Sequence, residues 1–114
     1  MASTINYLSE PTTVSMADEW FEIASPDHFW MERRFEVFCS LVEELELGTL
    51  RLGEIGCGHG AVLRQFRDRL GVRVDGFDLN KYALEHGLEC DRELDLFCYD
   101  INDRRPELHQ AFDG

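Results

Sequence analysis

No stretch of this chain is apolar enough for long enough to cross a bilayer. Its first residues, Met1-Ala2-Ser3-Thr4-Ile5-Asn6-Tyr7, have neither the basic start nor the apolar core of a secretion signal. Those absences lead us to expect a cytoplasmic protein with no membrane partner. The cysteines, Cys39, Cys57, Cys90 and Cys98, include no Cys-x-x-Cys pair. The sequence therefore gives no support to a disulfide framework or a structural zinc site, and no metal is expected. Positive charge is also scarce: 11 Lys and Arg stand against 23 Asp and Glu, for a net charge of −12. Such a surface repels polyphosphate, so nucleic acid is a poor partner and a small-molecule or saccharide acceptor suits the charge better. Arg64, Arg67 and Arg69 come nearest to a basic stripe, but mixed with acids they read as a solvated face.

What the chain does have is core material. Hydrophobic residues make up 44% of it, with eight Phe and two Trp, and 114 residues suffice for one modest domain. The most informative run is Leu52-Gly53-Glu54-Ile55-Gly56-Cys57-Gly58-His59-Gly60, in which an apolar strand carrying one acid meets three alternating glycines. Without a Cβ, each glycine allows a sharp turn, a positive φ and close approach of backbone amides to a bound molecule. Ala61 to Leu70 follows as a helix with Val62, Leu63, Phe66 and Leu70 on one face, and Gly71 terminates it. Val72 to Asp78 then reads as a second strand. Asp78 stands about twenty residues past the loop, where dinucleotide-binding folds place a ribose-binding carboxylate. Asn80 caps a helix from Lys81 to His86 that Gly87 is expected to close, and Leu94 to Tyr99 reads as a third strand.

Two ligand classes fit a strand, glycine loop and helix. Gly56-x-Gly58-x-x-Ala61 satisfies the relaxed nicotinamide fingerprint, so an NAD(P)-binding oxidoreductase fragment is one reading. Glu54 and Gly60 favour another, because a carboxylate beside the loop gains nothing from a pyrophosphate and much from a cation. Here the sequence resembles the class I S-adenosylmethionine-dependent methyltransferases, whose first motif, acid-x-Gly-x-Gly-x-Gly, stands as Glu54-Ile55-Gly56-Cys57-Gly58-His59-Gly60. Their second motif is matched by Gly76-Phe77-Asp78-Leu79-Asn80. The resemblance implies an S-adenosyl-L-methionine cofactor, with Glu54, Gly56, Cys57, Gly58 and Gly60 at its amino-acid end. Asp78 would then serve the ribose hydroxyls, Leu79 the adenine face, and Asp100 and Ile101 the adenine edge. Asp100 has a competing reading as part of an Asx-rich turn, and a non-catalytic protein keeping the methyltransferase shape is the third function considered.

Upstream, residues 1–17 read as a flexible tail and 18–47 as a helical lid segment. Ser25-Pro26-Asp27 looks like a helix start, and the helix is expected over about His28 to Leu45, with Phe35, Phe38, Leu41, Val42 and Leu45 in one stripe and Gly48 beyond it. His28-Phe29-Trp30 followed by arginine resembles the N-terminal element of a methyltransferase subgroup in which this helix covers the cofactor. Trp30 would then be a lid residue, and Arg34, ahead of Arg33, a partner for the cofactor carboxylate.

The expected fold class is thus α/β, a Rossmann-like doubly wound sheet of which residues 48–114 hold the first half, about three parallel strands. Phe112-Asp113-Gly114 looks like the lead-in to a fourth strand. A first strand left open at the edge is expected to promote self-association, and the fragment alone is expected to be inactive. Methyl transfer from a sulfonium needs alignment more than acid–base chemistry. No catalytic residue is assigned, and any base lies in the remaining half or at His59.

Overall fold

The computed structural model describes residues 4–12 and 25–114. Of the expected lid segment, residues 18–24 lie outside the described residues. The fold is an α/β domain with a four-stranded, all-parallel sheet and three helices, compatible with a Rossmann-like fold. The strands are β1 (Asn6–Tyr7), β2 (Leu52–Ile55), β3 (Val74–Asp78) and β4 (Leu96–Cys98), in the spatial order β1-β4-β3-β2. Helix α1 spans Phe29–Leu41, α2 spans Ala61–Gln65 and continues as a π-helical turn over Phe66–Leu70, and α3 spans Lys81–Cys90.

Alternation along the strands assigns the two faces of the sheet. Val74, Leu96 and Cys98 face the helices. They form one core with Phe35 of α1, Leu63 of α2, Phe66 and Leu84 of α3. Phe66 holds α1 in place edge-on, with its ring 5.5 Å from Phe35 and 5.1 Å from Phe38. On the opposite face Phe77 stacks on Phe97 at 4.9 Å and meets Phe112 edge-on at 5.5 Å. Two arginines that follow α2 are neutralised locally: Arg67 pairs with Asp68 and Asp91, and Arg69 with Glu32.

The structure revises several expectations. Residues 4–12 do not hang free, because β1 pairs with β4 and Asn6 Nδ2 donates to the Leu96 carbonyl. The sheet therefore has four strands rather than three. The edge of β2 is partly covered: the Asp113 amide donates to Arg51 and the Gly53 amide to Gly114, both at 2.8 Å. Helix α1 starts later and stops earlier than the pattern suggested. His28 is its cap, accepting from the Trp30 amide through Nδ1, while Ser25 to Asp27 form a turn ahead of it. It ends at Leu41, and Glu43, Glu44 and Glu46 follow where the negative end of a helix dipole disfavours acids. Leu41 and Leu45 of the expected stripe are exposed, and Met31 is buried instead.

Gly87 does not close α3; it lies inside it. A Cβ at this position would come within 2.7 Å of the His59 carbonyl oxygen, so the glycine allows α3 to press against the glycine loop. Helix propensity alone favours alanine here by about 1 kcal/mol. The clash is with backbone, however, which cannot rotate away. We expect Gly87→Ala to lower stability by about 1–3 kcal/mol in urea denaturation, in line with overpacking costs. A stabilised variant would show that the contact yields.

Candidate ligand site at the ends of the strands

In open parallel sheets, ligands sit beyond the carboxyl ends of the strands. Of the sequence-predicted residues, Gly56, Gly58, Gly60 and Asp78 stand there. Gly56, Gly58 and Gly60 adopt φ of 79°, 57° and 84°, a region costly for any residue with a Cβ. The loop is pinned to β3 because the amides of Gly56 and Cys57 both donate to the Phe77 carbonyl, at 2.7 and 3.1 Å. Gly60 gives α2 its first turn, with its carbonyl accepting from Arg64. Gly76 leaves room below, since a Cβ there would lie 2.9 Å from Cys57 Sγ.

Asp78 ties this assembly together. Its Oδ2 accepts from the Gly58 amide and its Oδ1 from the Asn80 amide, each at 2.8 Å. Each oxygen keeps a further lone-pair direction, so the carboxylate suits two adjacent hydroxyls. Asn80 Oδ1 accepts from the Ala83 amide and starts α3, as its position after β3 suggested.

Glu54 stands one step below the loop. Its Oε1 is buried with no hydrogen-bond partner among the described residues. Burial pushes its pKa up to about 7, Arg34 opposes the rise, and Asp78 adds to it. Glu54 and Arg34 share a cleft of about 370 Å³ between α1, α2 and β2, walled by Phe35, Phe38, Val62 and Phe66. Arg33 instead pairs with Glu36 on the surface.

The remaining predicted residues divide. Cys57 packs into the core beneath the loop. Burial, then the charges of Glu54 and Asp78, raise its thiol pKa, and its carbonyl accepts from the Gly60 amide within the loop. Leu79 is half-buried beside Asp78, and Ile101 is exposed. Asp100 lies just past β4, and its Oδ1 accepts from both nitrogens of Asn102, the Asx turn that was its competing reading. Trp30 is 54% exposed near the start of α1 and does not line the cleft.

Sequence reasoning missed Gln65. It is 1% exposed, lines the cleft, and donates from Nε2 to the Pro26 carbonyl at 3.0 Å, tying α2 to the turn before α1. A polar residue next to Phe66 gave no pattern by which to find it. The His59 ring, buried in the loop, stacks on His86 at 5.7 Å. No group of residues able to hold a metal ion occurs among the described residues, and no helix among them is long and apolar enough to cross a membrane. No protein-family model, curated protein or solved structure matches the chain.

Proposed function

We propose that the protein is the cofactor-binding part of an S-adenosylmethionine-dependent methyltransferase acting on a small-molecule or saccharide acceptor. The observation that carries this reading is Glu54, a carboxylate with a buried oxygen that has no partner among the described residues, just ahead of three left-handed glycines. A buried carboxylate of this kind is stabilised by a cation or a strong donor. An ammonium at the ligand's amino-acid end supplies both, whereas a pyrophosphate would be repelled.

The rest of the site fits the same ligand. Asp78 suits a ribose diol, Gly56 has open space where a Cβ would stand, and the net charge of −12 favours a donor that carries positive charge. When bound, the sulfonium group supplies an activated methyl. The residues of this chain would hold the donor and orient it, which is the main demand of an in-line transfer.

Calorimetric titration with S-adenosylhomocysteine and, separately, with NADH tests the reading. We expect saturable binding of S-adenosylhomocysteine and none of NADH at the same concentrations. Binding of NADH alone would establish the nicotinamide alternative, and binding of neither would remove the cofactor assignment.

A further inference from the structure

The segment Leu8 to Thr12 runs across the carboxyl ends of β4 and β3. The amides of Leu8 and Ser9 donate to the Cys98 carbonyl at 2.8 and 3.0 Å, and that of Thr12 donates to Leu79 at 3.3 Å. One side chain in this strap does two jobs. Ser9 Oγ accepts from the Asp100 amide at 2.9 Å and donates to Asp103 Oδ2 at 2.6 Å. It therefore clamps both ends of a turn that is closed by the Asp103 amide donating to the Asp100 carbonyl at 2.9 Å. Tyr99 adds a third tie, its hydroxyl donating to the Asp103 carbonyl.

The consequence falls on Asp100. Oδ1 is held by both nitrogens of Asn102, which sets the plane of the carboxylate, and neither of those bonds uses Oδ2. The backbone beneath is set by Ser9. A hydrogen bond to a ligand depends steeply on distance and angle, so an Asp100 held from two sides is a better reader than one on a loose turn.

We propose that the strap forms one wall of the nucleobase end of the site, and that Ser9 is a positioning residue that fixes Asp100 to read a base bearing an exocyclic amino group. This rests on the adenosyl reading above. It adds a selectivity device contributed by a segment about ninety residues away in sequence.

The test compares S-adenosylhomocysteine with S-inosylhomocysteine, which has a carbonyl in place of the amino group, on wild type, Ser9→Ala, Ser9→Thr and Asp103→Ala. Wild type should prefer the adenosyl ligand by about tenfold or more, the scale of one charge-assisted hydrogen bond. In Ser9→Ala that preference should shrink at least threefold, roughly half the free-energy scale of that bond, while inosyl affinity changes little. Ser9→Thr, which keeps the hydroxyl, should restore the preference. Asp103 is exposed, so Asp103→Ala should fold and shrink the preference even if Ser9→Ala does not fold. Equal loss for both ligands, or an unchanged preference in Ser9→Ala or Asp103→Ala, would overturn the role of Ser9 while leaving the adenosyl site standing. Absence of binding by wild type would overturn both.

Discussion

Replacing Asp78 by alanine is expected to reduce affinity for S-adenosylhomocysteine by about 100-fold or more. The carboxylate is the one group that both organises the loop and offers acceptors to a diol. Two charge-assisted hydrogen bonds of about 1.5–3 kcal/mol each set the scale, and each 1.4 kcal/mol is tenfold. The substitution also strips the Gly58 and Asn80 amides of their partner, so stability should fall by about 1–2 kcal/mol. Asp78→Asn keeps one acceptor but sets its NH2 against the other backbone N–H, so it should lose at least one of the two bonds and fall between wild type and Asp78→Ala in stability. Titration calorimetry and denaturation on the same samples provide the check. Affinity within about threefold of wild type in Asp78→Ala, under 1 kcal/mol, would remove Asp78 from the site.

The second large effect concerns Glu54 and pH. Its carboxyl pKa rises from 4.5 to about 7 on folding, chiefly through burial. A raised carboxyl pKa means that the folded state binds the proton more tightly than the unfolded state does. The associated stability is fully present below pH 4.5 and is lost as pH climbs through about 7. The full loss is up to about 3 kcal/mol. Glu54→Gln cannot ionise, so at pH 8 it should be more stable than wild type by about 1–3 kcal/mol. The difference between the two should vanish below about pH 5.

Function should move the other way. Ionised Glu54 is the form that attracts an ammonium, so wild-type affinity should rise between pH 6 and 8, and Glu54→Gln should bind weakly with little pH dependence. A carboxylate that lowers stability at neutral pH and raises affinity is what a ligand site produces. If Glu54→Gln lost stability at pH 8, the carboxylate would instead be structural.

The central part of this architecture was legible in the sequence because its signals are local. Gly56, Gly58 and Gly60 had to turn where they do, Asp78 ends an alternating strand, Asn80 caps the helix after it, and Gly71 stops the one before. β1 was not legible. It is two residues long, and its bonds go to β4, so nothing near Asn6 announces it. Gly87 misled for a related reason: local rules make it a terminator, while its cause is the His59 carbonyl on another element. The apolar stripe of α1 was read too long because its periodicity continues past Leu41 while the acids oppose the helix end. For the candidate site, residue types singled out Glu54 and Asp78. The roles of Ser9 and Gln65 emerge only once distant segments are brought together.

The most direct test follows the backbone amides of the protein by NMR during titration with S-adenosylhomocysteine. The site described here predicts that the largest shifts occur at Gly56, Gly58, Gly60, Leu79 and Asp100, and that they saturate together with one affinity. Saturating shifts clustered elsewhere, or no shifts at millimolar ligand, the scale of the weakest specific binding, would contradict it.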